Sequence, residues 1–273
     1  MRKKRPPEPK EPVTTGLSYT ETFVKETADL LKEELTDDSY EQTLKTIVDR
    51  CEDNYDLNRA GAAAMKLAEG DKHGSETFKL CCKMAGDLFR LQCEAERTSG
   101  RTTIFTGFYN DAMDAYLEGG YTNEAIAVAF EHSYWLITSA LYRDEAGRRK
   151  YLDLATKAFD EAMVRSSEEL ASFVRQQQEG RLKAADALQD VQPPAHLSNV
   201  SDPDRLRADA QTYRELISFL EENCNASDIA AYLAGELAAV VETALPELAQ
   251  EYAALATELR QRHAALLQEN GIP

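Results

Sequence analysis

The chain has 273 residues, 43% of them apolar or aromatic, and a formal net charge of −17, so it is long enough to bury one large core or two smaller ones and a peptide-sized fold is excluded. The charge is uneven: residues 1–12 carry five Lys/Arg against two Asp/Glu, which leaves 26 against 46 in the remainder. Such an acidic body repels nucleic-acid phosphates and anionic lipid heads, so neither is expected as a partner of the folded part.

No stretch approaches the run of about 20 apolar residues that crosses a bilayer, and no apolar segment follows the basic start as in a secretory signal. No membrane span and a cytoplasmic setting are therefore expected. The odd number of cysteines, Cys51, Cys81, Cys82, Cys93 and Cys224, fits reduced thiols inside helices better than a disulfide framework. The acidity suits either an ordinary solvated surface or a salt-rich cytoplasm.

From about residue 18 onward the apolar spacing is helical and no alternating strand pattern appears, so the fold class is all-α. Residues 1–16 read as a disordered basic tail, 17–190 as a body of antiparallel helical hairpins, 191–203 as a linker and 204–273 as a C-terminal helical segment. Ser18 with Glu21 and Ser39 with Gln42 have the spacing of capping boxes and open two helices. A third runs from about Leu57 to Gly70, and GDKHGSE (70–76) is a turn into a helix over 75–96.

The segment TSGR (98–101) breaks that helix, and others follow over 103–118, 122–142 and 146–190, where Gly180 predicts a bend or break. The linker QPPAHLSNVSDPD (192–204) precedes a helix capped by Ser201 or Asp202 with Pro203 in its first turn. Leu206, Ala210, Tyr213, Ile217 and Leu220 give that helix one apolar face. In the last helix Leu245, Tyr252, Leu259 and Leu266 recur every seven residues, with Leu248 and Leu255 between them and Arg262 interrupting the seam. The seam suits packing within a local bundle or a contact with a second copy of the chain.

The stretch DAYLEGGYTNEAIAVAF (114–130) is a helix, a glycine turn and a second helix. Ala115, Tyr116, Gly120, Ala125 and Ile126 place small residues where two helices cross, with Ala129 where a larger residue is usual. Ala155, Phe159 and Ala162 repeat the second-helix part, and Ala85 with Phe89 echoes it. This pattern resembles the tetratricopeptide repeat over about 58–166, although Ala85, Ala125 and Ala155 are separated by 40 and 30 residues where the family repeats at about 34. A plain antiparallel α-hairpin bundle produces the same small-residue spacing.

The resemblance implies a protein-binding scaffold whose first helices line a concave groove, and it places Asn110, Asp114, Leu117 and Glu118 in that groove. A carboxylate there disfavours acidic peptide tails, so the partner implied is a basic or apolar peptide. Independently of the resemblance, nine aromatic residues crowd between Phe105 and Tyr142. Consecutive Tyr134 and Trp135 point in different directions, so at least one is expected at a surface or pocket.

Chemistry-bearing motifs are sparse. None of the four histidines sits in a Glu-x-x-His or His-Glu-x-x-His pattern, so no metal site, catalytic set or cofactor is expected. Glu131–His132 could serve an enzyme pocket between helices, and CEDNYD (51–56) with TDD (36–38) could offer carboxylates to magnesium, but both acidic clusters fall at helix ends where Asp and Asn cap turns. The leading expectation is a scaffold, adaptor or assembly subunit that binds a protein partner through helix faces. The alternative is a helical-bundle enzyme or small-ligand protein, and a third reading has the basic tail binding an acidic polymer or membrane.

Overall fold

A computed structural model describes residues 18–53, 55–98, 105–164 and 168–273, and among them there are eleven α-helices, one 3₁₀ helix and no strand. The basic tail, most of the TSGR break and the side chains of Phe159 and Ala162 lie outside the described residues. Helix α1 (Tyr19–Glu34) starts on a complete capping box: the Ser18 hydroxyl accepts from the Glu21 amide at 3.4 Å, and the Ser18 amide donates to Glu21 Oε2 at 2.9 Å. This arrangement satisfies amides that a free helix start leaves open.

Helix α2 (Tyr40–Asp49) corrects the second capping expectation. Ser39 has helical backbone angles and makes no side-chain cap, because its hydroxyl donates instead to the Glu34 carbonyl and accepts from the Thr36 amide at 3.0 Å. The same letters thus close the α1–α2 turn. Helices α3 (Asp56–Glu69), α4 (Glu76–Thr98), α5 (Phe105–Gly119) and α6 (Thr122–Ala140) pack successively against one another.

Bare glycines seat rings at two of these crossings. A Cβ on Gly61 would lie 2.7 Å from the Phe89 ring, and one on Gly86 would lie 2.7 Å from the Tyr116 ring, so each glycine lets a helix axis approach its neighbour. The α5–α6 turn is the tight glycine break expected, with Gly120 at φ +84° and the Tyr121 amide closing onto the Tyr116 carbonyl at 2.8 Å. Ala115 and Ala125 are both buried there.

The long stretch after the polar RDEAG turn divides into α7 (Glu145–Val164) and α8 (Glu168–Leu188). Gly180 is neither a bend nor a break, contrary to expectation, but an interior residue of α8. Its missing side chain is what allows contact, since a Cβ would fall 1.8 Å from the Cys224 carbonyl oxygen. Arg148 ties α7 to the end of α8 by donating to the carbonyls of Gln189 (2.8 Å) and Val191 (3.0 Å).

A 3₁₀ helix (Pro194–Asn199) then seats Pro194 and Leu197 in the interior against later helices. Helix α9 (Pro203–Cys224) has Asp202 as its cap, accepting from the Asp204 amide at 3.0 Å, and buries all five residues of its expected apolar face. Asn225 adopts a left-handed φ of 49° that turns the chain into α10 (Ser227–Val241). The last helix, α11 (Pro246–Glu269), packs on α10 and buries Leu245, Ala249, Tyr252, Ala256 and Leu259.

Two apolar clusters hold most of the core. One joins α1–α6; the other joins α6–α11 and includes residues on both sides of the 3₁₀ helix. Helix α6 belongs to both, which puts its exposed edge between the two halves. Arg262 stays outside the seam, paired with Glu221 and with Glu258. Among the described residues no helix is long and apolar enough to cross a membrane.

Candidate functional site

Along that edge of α6 lie two adjoining hollows, of about 570 Å³ and 350 Å³, which share Glu131 and Tyr134. The first runs between α4 and α6, lined by Arg90, Leu91, Arg97 and Trp135, with Leu44 of α2 at its rim. The second continues between α6, α10 and α11, lined by Phe130, Asp228, Arg260, His263 and Leu267. The two hollows adjoin at Glu131 and Tyr134, on the helix that both cores share, and are together called the groove.

Charged groups in the first hollow are paired. Arg90 forks onto Glu131, with Nε donating to Oε2 at 3.1 Å and Nη2 to Oε1, and the two side chains remain 34% and 37% exposed, so the groove opens to solvent. Arg97 lies over the Trp135 ring at 4.6 Å and reaches Glu94 at 3.5 Å. A guanidinium over indole holds the ring flat and leaves its far edge available.

An aromatic row leads into the second hollow. The Tyr134 ring stands edge-on to Trp135 (5.4 Å) and to Tyr232 of α10 (6.2 Å), and Tyr232 donates to the Tyr142 hydroxyl at 2.7 Å. Burial pushes the Tyr134 phenol up to about 12; Asp228 adds to this while Arg260, Arg97 and Arg181 oppose it. These three arginines therefore lie within electrostatic reach of one hydroxyl.

Arg181 of α8, only 3% exposed and lining neither hollow, donates to Asp228 Oδ2 at 2.5 Å and has its guanidinium 5.0 Å from the centre of the Phe130 ring. His263 Nε2 sits 3.9 Å from the same oxygen, beyond hydrogen-bond range. Burial opposes the charge on Asp228, but Arg181, His263 and the Ile229 amide at the start of α10 hold its pKa below the usual carboxylate range. Burial lowers the His263 pKa, Asp228 resists that shift and Arg181 reinforces it, so the ring is neutral at pH 7.

Two expected site residues, Tyr134 and Trp135, thus line the groove. The other four, Asn110, Asp114, Leu117 and Glu118, lie on α5 and line neither hollow: Asp114 and Glu118 are exposed, and Leu117 packs against the α1–α6 core. Sequence reasoning missed Arg90 and Arg97, although their seven-residue spacing puts them on one helix face. It also missed Arg181 with Asp228, whose 47-residue separation offers no local signal.

The motifs weighed for enzyme chemistry separate in space. Glu131 faces the groove, whereas His132 is buried with its ring stacked on Tyr109 at 4.7 Å, and burial lowers its pKa to about 4. Asp56 of the 51–56 cluster accepts from the Tyr19 hydroxyl (2.6 Å), the amides of Glu52 (3.0 Å) and Asp53 (2.9 Å), and Arg59 (2.8 Å). GDKHGSE is an interhelical turn in which Asp71 accepts from Ser75, Ser75 caps the Phe78 amide, and His73 packs against Phe78. Burial raises all five thiols, which leaves them poor nucleophiles.

A hollow of about 830 Å³ on the start of α7 is lined mainly by the exposed charges of Asp144, Glu145, Arg149, Lys150 and Asp153, and no buried group points into it. No group of three or more His, Cys, Asp or Glu suited to a metal ion occurs among the described residues. Fold and groove together define an all-α protein of antiparallel helical hairpins with an open, aromatic and arginine-lined groove. Comparison with protein-family models, with curated proteins and with solved structures finds no match to this chain.

Proposed function

We propose that the protein is a binding scaffold that takes a segment of a partner polypeptide in the groove across α4, α6, α10 and α11. The observation that carries this reading is the continuity of the two hollows through Glu131 and Tyr134. An extended segment needs such a track, with apolar surface for alternate side chains and charges already paired so that covering them leaves none alone. Leu44, Leu91 and Trp135 supply the apolar contact, and the acidic body around the groove favours partners with basic flanks and speeds their approach.

Small residues at the α4–α5 and α5–α6 crossings support reading these hairpins as divergent tetratricopeptide-like units, with the groove on the α4 and α6 face. Five free cysteines, four of them buried, support a reducing, cytoplasmic setting. The test is capture of partners at native salt with wild type, Trp135→Ala and Asp114→Lys, followed by titration with the purified partner. Trp135→Ala is expected to weaken binding about tenfold or more, and Asp114→Lys to leave it within about threefold. Loss with Asp114→Lys alone would transfer the binding face to α5, and no loss with either would remove the scaffold reading.

A further inference from the structure

The three residues that follow α11 turn back onto the body of the protein. Gly271, at φ +68°, lets its own amide and that of Ile272 donate to the carbonyls of Gln268 (3.0 Å) and Leu267 (2.9 Å), which ends the helix in a Schellman motif. The turn aims Ile272 at α6 and α8, where it is 3% exposed and packs with Ile126, Ala127, Phe130 and Val174, with Leu267 beside it. Asn123 of α6 donates its side-chain amide to the Gly271 carbonyl at 2.9 Å. Pro273 then forms part of the wall of the second hollow.

Ala127, Phe130 and Leu267 border both the Ile272 slot and that hollow. The volume of about 350 Å³ is therefore the space left with Ile272 seated, and withdrawing it would join to the hollow an apolar slot between α6, α8 and α11. Gly271 and Pro273 are exposed on either side, so one aliphatic side chain and, among the described residues, one hydrogen bond from another helix hold the segment down. Helix α11 keeps its own grip on α10 through Ala249, Tyr252, Ala256 and Leu259, nearer its start. Burying one isoleucine biases an equilibrium by on the order of ten- to a hundredfold, which a bound segment can reverse.

We infer that Gly271–Pro273 is an autoinhibitory latch: Ile272 fills an aliphatic slot continuous with the groove, and a partner segment takes the whole track only by replacing it with an aliphatic side chain of its own. Gly271, with no Cβ to oppose rotation, is the pivot. The inference rests on the scaffold reading above and adds its regulation. A latch and a purely structural clamp predict opposite signs. Losing a clamp loosens the site and weakens binding, whereas losing a latch raises the affinity of a segment that needs the slot, because the open state no longer has to be populated first.

The experiment pans a display library of random octapeptides against the full chain carrying Ile272→Asp and, separately, Asn123→Ala, then measures the enriched peptides on both variants, on Ile272→Leu and on wild type. The expected gain over wild type is about ten- to a hundredfold for Ile272→Asp, about threefold for Asn123→Ala and less than about threefold for Ile272→Leu, with helical content by circular dichroism equal in all. Enriched sequences should carry a Leu, Ile or Val whose replacement by Ala removes the gain. In wild type with ¹³C-labelled isoleucine methyls, saturating peptide should move the Ile272 signals to those of a solvent-exposed isoleucine.

Equal or weaker binding by a folded Ile272→Asp overturns the inference, as does a panning that enriches nothing. Saturation of wild type with the Ile272 signals unmoved also overturns it, and this readout with Asn123→Ala decides the matter should Ile272→Asp lose helical content. Peptides that lose affinity with Trp135→Ala but bind wild type and Ile272→Asp alike would leave the scaffold reading standing without the latch. Peptides that gain with Ile272→Asp and ignore Trp135→Ala would support the latch over the slot and overturn the track through both hollows.

Discussion

Asp56 in the N-terminal half and Asp228 in the C-terminal half each bind an arginine, yet their surroundings differ in how the remaining lone pairs are filled. Asp56, fully buried, accepts from a tyrosine, two backbone amides and Arg59. Asp87 nearby is served in the same way by Tyr40 at 2.6 Å, by Tyr116 and by Lys83. Asp228 has Arg181 on one oxygen, while Oδ1 is buried with no hydrogen-bond partner among the described residues. A buried acceptor left open costs about 1–3 kcal/mol, a cost that Asp56 and Asp87 avoid and that Glu96, with Oε2 also buried without a hydrogen bond among the described residues, shares. The contrast marks the first two as parts of the framework and directs attention to the groove around the third.

The largest effect expected from this contrast is on stability. Asp56→Ala removes the acceptor of four donors at the α1–α3 contact, and with it the bonds from the Glu52 and Asp53 amides that close the turn into α3. A loss of about 3 kcal/mol in unfolding free energy is expected, read from urea denaturation as a lower midpoint at unchanged slope. Burial raises the Asp56 pKa, but the bonds from Tyr19, Asp53, Arg59 and Glu52 outweigh it and hold the carboxyl below its ordinary range, so its contribution fades only as pH falls through the acid range. A loss under about 1 kcal/mol would break the comparison, since satisfied and unsatisfied carboxylates would then be energetically alike.

A second test uses the buried histidine, His132. His132 is 2% exposed, neither ring nitrogen has a hydrogen-bond partner among the described residues, and burial lowers its pKa from the ordinary 6.5 to about 4. The unfolded chain therefore binds a proton between those values that the folded chain refuses. Stability is fully present above pH 6.5 and falls as pH drops toward 4, by up to about 3 kcal/mol over that window. His132→Phe keeps a ring for Tyr109 to stack on and removes the titration, so its stability should lose much of this slope relative to wild type. Parallel slopes would mean that His132 reaches solvent.

How much of this was legible beforehand depended on range. The capping box at Ser18, the Asp202–Pro203 helix start, the apolar face from Leu206 to Leu220 and the turn at Gly120 are set by residues within one or two turns of one another, and each was readable. Ser39 and Gly180 were misread because the letters that signal a cap or a break also serve distant or tertiary contacts: the Glu34 carbonyl for one, the Cys224 carbonyl for the other. Tyr134 and Trp135 both border a hollow, as expected of adjacent helical residues that cannot both face one core. Asn110, Asp114, Leu117 and Glu118 came from the family resemblance alone, and α5 turns them away from the groove. Arg181, Asp228 and Arg260 come from three different helices, and only packing brings them together.

His263 provides the smallest and most selective test. It borders the groove at 15% side-chain exposure, its Nδ1 has no hydrogen bond among the described residues and its Nε2 is 3.9 Å from Asp228, so replacing it removes no hydrogen bond from the framework. His263→Gln keeps a polar side chain of comparable length beside Asp228 and should change unfolding free energy by less than about 1 kcal/mol at pH 7. Because burial holds the folded His263 pKa below its ordinary value, the wild-type residue penalises folding only as pH falls below about 6.5, and the variant should gain on wild type in that direction. A loss as large as that of Asp56→Ala at pH 7 would place His263 in the structural framework beside Asp56 and break the contrast between the two halves.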